Sequence, residues 1–296
     1  MSHKAVGLVI ASALLLGGCT AAAEPSAPVT FATVQPAPVT KLLVFVVENH
    51  SLDQMRAAMP YAAALGKQFA VATNYQAVTH PSLPNYLAMT GGSTYGVTDD
   101  DPPSSHTTDQ PSVFGQALSL GKTAKLYAEG VPGNCATESS GQYAVKHNPW
   151  AYHLSERASC LRYDVPVTEL SGDVSNGGLP NAGMVIPDLC NDAHNCDLSV
   201  ADRWLRSELE VVMAGPDWRA GHLAIVVTAD EDDHHQDNLV LTVVAHPSMH
   251  GAGVTTPLTH YSLARLYSEV LGAEPLGEAA TAPSMAKAFG LELSGR

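Results

Sequence analysis

The sequence predicts an α/β domain built on a mostly parallel sheet sandwiched by helices. Two observations carry that prediction: apolar runs of strand length recur along the chain without polar alternation, and segments of helical period separate them. A run without alternation buries both of its faces, and the helices between runs supply the crossovers that parallel strands require.

Taken in order, the first strand is residues 42–47, a continuous Leu-Leu-Val-Phe-Val-Val run, and the second is residues 70–75. A helix follows over 83–90, with Pro84 in its first turn, where a missing N–H costs nothing. Residues 112–120 form the next helix, and residues 124–127 and 184–186 the next two strands. A longer amphipathic helix covers 199–213, strands cover 223–228 and 239–245, and a last helix covers 261–271. No internal repeat is present. Open α/β sheets bind ligands beyond the carboxyl ends of their strands. Here those ends are unusually polar: Glu48-Asn49-His50-Ser51 after the first strand, residues 187–194 after the fourth and residues 229–235 after the fifth.

The domain is preceded by segments of another character. Residues 1–18 read as an export signal, because Lys4 precedes a short apolar run that ends in Leu16-Gly17-Gly18-Cys19. Small residues before a cysteine are the pattern at which bacterial lipoproteins are cut and acylated, so lipidated Cys19 is expected to anchor the protein to a membrane. Ordinary cleavage a few residues later, within Ala21-Ala22-Ala23, is the alternative; either way the protein is exported, held on the outer face of the cell membrane or secreted. Residues 19–39, mostly Ala, Pro, Thr and Val, suit a flexible tether. The folded domain then spans 40–296, about 255 residues without another low-complexity break, a usual length for one α/β domain.

Four further cysteines, Cys135, Cys160, Cys190 and Cys196, are an even set in an exported chain, which indicates two disulfides. Of the three pairings, Cys135 with Cys160 and Cys190 with Cys196 is favoured, each pair bracketing one short polar segment. A zinc site is the weaker reading, since no Cys-x-x-Cys pair is present. Fifteen Lys and Arg against 29 Asp and Glu leave a formal charge of −14. That balance excludes nucleic acid held by phosphate neutralisation. It does not exclude a phosphate substrate, because a bound cation reverses the local field. No protein partner is indicated.

Glu48, Asn49, Asp230 and Glu231 lie just beyond two strands and offer only oxygen ligands, a set that suits Mg, Ca or Mn and can take Zn or Fe. Helix capping by Asn49 and a solvated acidic loop are the plain alternatives. Ser82, in Thr79-His80-Pro81-Ser82-Leu83-Pro84-Asn85-Tyr86, stands at a helix start, where backbone N–H groups favour anions. It reads either as a helix cap or as a nucleophile whose alkoxide a metal stabilises. His147 and His194 are candidates for phosphate contact or general acid work, against surface histidines. No Gly-x-Ser-x-Gly elbow, Walker loop or His-Glu-x-x-His motif occurs.

Together with Thr90-Gly91-Gly92, Lys146-His147-Asn148-Pro149-Trp150, Ile186-Pro187-Asp188-Leu189-Cys190-Asn191-Asp192-Ala193-His194 and Thr228-Ala229-Asp230-Glu231, these motifs resemble the bacterial phosphoesterase family of phospholipases C and acid phosphatases. The chain is most similar to the short mycobacterial SapM-type secreted acid phosphatases. The resemblance runs from about residue 41 to 272 with the motifs in family order. It implies an alkaline-phosphatase-like fold in which Glu48, Asn49, Asp230 and Glu231 hold the metal and Ser82 completes its shell as nucleophile. Asn85 would then bond a phosphate oxygen, and His147 and His194 would line the phosphate and the leaving group. Ala229, Asp188 and Asn195 stand where the family often has Trp, Asn and Asp, and the histidine-rich stretch after Asp233 replaces a glycine-rich turn. The expected function is a metal-dependent phosphomonoesterase acting on a small phosphate ester or a phospholipid headgroup. A phosphodiesterase of phospholipase C type, or a surface lipoprotein that only binds a metal or anion, are the alternatives.

Overall fold

The computed structural model describes residues 1–3 and 37–294. The chain divides into two units, residues 1–35 and 36–296. Beyond residue 3, the expected signal, Cys19 and the tether as far as residue 36 lie outside the described residues.

The strands are β1 (Lys41–Val47), β2 (Ala70–Ala72), β3 (Tyr75–Gln76), β4 (Ala124–Ala128), β5 (Asp164–Pro166), β6 (Ala182–Ile186), β7 (Leu223–Ala229), β8 (Thr242–Ala245), β9 (Ala252–Val254) and β10 (Leu258–Thr259). Apart from β3 and β10 they form one sheet in the order β5-β4-β6-β1-β7-β8-β2-β9. The pairings are parallel except those of β8, which runs antiparallel to β7 and β2. The α/β reading with a mostly parallel sheet is therefore correct. β1, whose side chains after Lys41 are all buried, sits between β6 and β7, as a strand with no polar face must.

Two strand readings need correction. The run at 70–75 breaks at the polar pair Thr73-Asn74, and Tyr75 crosses into a small ribbon in which β3 pairs with β10. The strand read at 239–245 begins at Thr242 and not at Leu239, because Val240 N–H donates to Tyr75 O (3.0 Å) and that stretch follows β3 before it joins the sheet.

Helices α1 (Leu52–Ala58), α2 (Pro60–Gln68), α3 (Ser82–Gly91), α4 (Val113–Ser119), α5 (Arg157–Tyr163), α6 (Leu170–Ser175), α7 (Leu198–Ala214), α8 (Pro216–Arg219), α9 (His260–Leu271) and α10 (Met285–Phe289) cover the sheet. One group, α3, α4 and α9, packs together and onto β1, β4 and β6; α1, α2, α6, α7 and α8 form another. In α7 the buried positions Leu198, Ala201, Leu205, Leu209 and Val212 recur at helical spacing. Asp202 on the same face accepts N–H bonds from Tyr61 (2.9 Å) and Ala62 (3.0 Å), capping the first turn of α2.

The element that matters most for the site is α3, every residue of which is buried. It stops at Gly92, φ 67°, where a Cβ would lie 2.2 Å from the Leu276 carbonyl oxygen, so only glycine fits. Two disulfides, Cys135–Cys160 and Cys190–Cys196, match the favoured pairing. Among the described residues no helix is long and apolar enough to cross a membrane.

Candidate active site

Strand register assembles the site. Because Val47 of β1 is level with Ala229 of β7, Glu48 and Asp230 leave the sheet side by side. Asp230 N–H donates to Val47 O (3.1 Å) and Asn49 N–H donates to Asp230 Oδ1 (3.0 Å), which locks the two strand ends together. Asn49 makes this possible by adopting φ 50°, a left-handed conformation that asparagine tolerates. On the other flank of β1, the loop after β6 returns Asp192, whose carbonyl accepts Glu48 N–H at 2.8 Å. Glu48, Asp192 and Asp230 are wholly buried and Glu231 nearly so.

Helix α3 delivers Ser82, which is 1% exposed and donates Oγ–H to Glu48 Oε2 at 3.2 Å. One turn later on the same helical face, Tyr86 donates its hydroxyl to Glu48 Oε1. His147, also buried, sets Nε2 3.2 Å from Glu48 Oε2 and Nδ1 3.2 Å from Asp192 Oδ2. Its ring stacks on Tyr86 with centroids 5.3 Å apart.

The charges are unevenly matched. Burial works to raise the pKa of Glu48, but His147, Tyr86 and Lys146 hold it down at about 2. Burial works against a charge on His147, yet Glu48 and Asp192 raise its pKa to about 9. Asp192 is pushed up to about 6, mainly by burial. Asp230 is held well above the carboxylate range by burial and by the facing charges of Glu48 and Glu231. Glu231 rises to about 8 through burial, Glu48 and Asp100. Glu48 is offset by His147 and Lys146, but burial and mutual repulsion still raise Asp230 and Glu231, which leaves that side of the cluster short of positive charge. Asp230 Oδ2 and Asn49 Oδ1 are buried without a hydrogen-bond partner. A hard divalent cation meets both needs with oxygen ligands alone, so these residues fit the metal that the sequence reading assigns to them. By the closeness of their donor atoms, within 4.8 Å of one another, Glu48, His147 and Asp192 are also a candidate metal group, one that the sequence reading did not assemble.

The anion at the start of α3 is the protein's own. Asp100 Oδ1 accepts Leu83 N–H (2.9 Å), and Asp100 Oδ2 pairs with Lys146 Nζ (2.8 Å). Lys146 in turn lies 3.4 Å from His194 Nε2. Asn85 is tied into the loop before the helix: its Oδ1 accepts Val78 and Thr79 N–H, and its Nδ2 donates to Thr79 O (2.7 Å), Pro81 O (3.2 Å) and Glu231 Oε2 (3.2 Å). His194 is exposed at the rim, its N–H bonded to Asp192 Oδ1 (2.7 Å) and its ring 5.8 Å from that of His147. Glu48, Asn49, Ser82, Asn85, His147, Asp230 and Glu231 thus converge, while His194 stands at the edge. Tyr86, Asp192, Lys146 and Asp100 were not assigned roles from sequence. The four-residue step from Ser82 could have flagged Tyr86, and adjacency to His147 could have flagged Lys146. Nothing local marks Asp100.

Comparison with known proteins adds to this geometry. The sequence profile of the Phosphoesterase family matches residues 54–268. Over 253 residues the chain is 30% identical to the phosphatidylinositol-3-phosphatase of Mycobacterium tuberculosis, an overlap covering 84% of this chain and 82% of that one. It is 28% identical over 228 residues to the phosphate-repressible acid phosphatase of Penicillium chrysogenum, covering 72% of this chain and 54% of that protein, so it spans about half the fungal relative's length. A solved structure described as a protein in the alkaline phosphatase superfamily from Vibrio parahaemolyticus superimposes with a TM-score of 0.58 at 9% identity, covering 84% of this chain and 71% of that one. That likeness is one of fold.

Proposed function

The chain belongs to the Phosphoesterase family and is a phosphoric ester hydrolase, and from that premise we propose that it is a metal-dependent phosphomonoesterase working through a phosphoserine at Ser82. The observation that carries the reading is the setting of the Ser82 hydroxyl: at the first turn of α3, 3.2 Å from Glu48 Oε2, and beside Asp230, whose Oδ2 has no partner.

Ser82 Oγ attacks phosphorus while the ester oxygen departs on the opposite side. The Oγ–H, which donates to Glu48 Oε2 at 3.2 Å in the resting site, gives up its proton to water as the P–Oγ bond forms, and the positive charge that a cation would bring to these carboxylates favours that ionisation. When bound by Glu48, Asn49, Asp230 and Glu231, a divalent cation supplies Lewis acidity and positive charge for the serine oxygen and the phosphoryl group. Tyr86 and His147 keep the Glu48 carboxylate oriented and charged. Asn85 fixes the loop that carries Ser82, and its N–H now on Glu231 is the one that can turn to a phosphate oxygen. Lys146 attracts the incoming anion, and His194 beside it protonates the departing alkoxide. Water then attacks the phosphoserine, the P–Oγ bond breaks, and Ser82 regains its proton.

The substrate class proposed is a phosphate monoester on a small molecule or a phospholipid headgroup. A relative of similar length that is named for phosphatidylinositol 3-phosphate favours the lipid member of that class. Export and anchoring through an acylated Cys19 belong to the same proposal and rest on the amino-terminal sequence. Turnover of p-nitrophenyl phosphate, its bis-ester and phosphatidylinositol 3-phosphate, with and without chelator, tests the reading. The monoesters should be hydrolysed, and chelation should stop them until a divalent cation is restored. Faster turnover of the bis-ester would make the enzyme a phosphodiesterase, and full activity in chelator would remove the metal.

A further inference from the structure

We propose that His80, Asp232 and His234 form a second cation site, beside but separate from the Glu48–Asp230 cluster, that takes a transition-metal ion of the zinc class. The donor atoms of the three side chains lie within 4.8 Å of one another. His80 Nε2 is 3.2 Å from Asp232 Oδ1, and the His80 and His234 rings are 3.9 Å apart with a 32° tilt. Two ligands held about 2.0–2.1 Å from one tetrahedral zinc stand roughly 3.3 Å apart, so the His80–Asp232 spacing already matches one coordination edge.

The chain builds this arrangement deliberately. Asp232 is buried, and its carboxylate is fixed by N–H bonds from His234 (2.8 Å, to Oδ1) and Gln236 (2.6 Å, to Oδ2). The tight loop holds His234 at φ 65°, a left-handed conformation that is uncommon outside glycine but that histidine tolerates better than most residues, and its ring lies against that of His80. On the far side of the His80 ring, Nδ1 lies 3.1 Å from Glu231 Oε2 and makes no hydrogen bond. A carboxylate beside Nδ1 is a common neighbour of a metal-bound histidine, whose Nε2 faces the ion. Two imidazoles and one carboxylate select zinc, cobalt, nickel or copper over magnesium or calcium, the reverse preference of the all-oxygen cluster next door. An ion here would pin the loop after β7 to the loop that carries Ser82, two residues beyond His80.

The test is metal binding to the full-length, chelator-stripped protein, with Zn²⁺ stoichiometry by elemental analysis and Co²⁺ titration followed by visible absorption. His234→Gly is the informative variant, because glycine suits the left-handed backbone and removes only the ligand. His235→Gly, one residue on, is the control. Wild type and His235→Gly should bind one Zn²⁺ equivalent more than His234→Gly, and the Co²⁺ band of the imidazole site should vanish in His234→Gly alone. Equal stoichiometry in wild type and His234→Gly would overturn the proposal. Equal losses in both variants would do so too, since that would indicate adventitious binding by a surface His-His pair. Turnover is not the readout, so this outcome is independent of the phosphatase mechanism.

Discussion

Replacing His147 by Gln in metal-stripped protein should flatten the loss of stability at high pH. His147 is the cation between two buried carboxylates, with Nε2 3.2 Å from Glu48 and Nδ1 3.2 Å from Asp192. Its pKa of about 9 against an ordinary 6.5, at ~1.4 kcal/mol for each tenfold change, makes the protonated ring worth about 3 kcal/mol to the fold. Because the folded pKa is raised, that stability is fully present below 6.5 and is lost as pH climbs from there through about 9. The variant leaves Glu48 and Asp192 without their counter-charge, so at about pH 6 it should be less stable than wild type by about 3–5 kcal/mol. By about pH 10 the deficit should shrink by roughly 3 kcal/mol. Glu231, raised to about 8, also loses stability over part of this range, and His147 is one of the charges that hold it down, so the difference between the two proteins reads His147 together with the carboxylates it faces. Urea unfolding at a series of pH values provides the measurement, with m-values compared to confirm that the same surface unfolds. Wild-type and variant curves that run parallel in pH would refute the ion-pair account of His147.

Glu48→Gln or Asp230→Asn should lower metal content and phosphatase rate together, because each removes a charged oxygen from the cation's shell; metal analysis of the purified variants beside their rates checks this. Metal uptake should also release protons and weaken as pH falls below about 8, since Glu231 holds a proton until a cation displaces it; calorimetry in buffers of different ionisation enthalpy reads the proton count. His194→Ala should slow hydrolysis of an alkyl phosphate by on the order of 10²- to 10⁴-fold and that of p-nitrophenyl phosphate much less, as nitrophenolate leaves without a proton. Equal losses on both substrates would make His194 an electrostatic residue instead.

Much of the fold can be read from local pattern. The unbroken apolar run of β1 and the polar residues after it were enough to locate Glu48 and Asn49 beyond a buried strand, and Pro84 marked the start of α3. What local pattern cannot supply is adjacency. That β1 lies between β6 and β7, and so brings Glu48, Asp192 and Asp230 to one point, is a property of strand order. His147 reaches the site from a loop far from either strand end, and its burial between two carboxylates has no signature in Lys146-His147-Asn148. Ser82 was legible as a helix start but not as a buried one. Its helix is covered on every side, and the N–H beside it is capped by Asp100, brought back by a loop that carries no periodic signal.

The central claim, that Ser82 carries the phosphoryl group, is tested most directly by mixing the enzyme with a phosphate-labelled monoester, quenching in acid during turnover and mapping the label. The account predicts labelled phosphate on the peptide that contains Ser82, and none in Ser82→Ala, which should retain its fold because only one oxygen is removed. Label on a histidine, or turnover by Ser82→Ala at an undiminished rate, would contradict it.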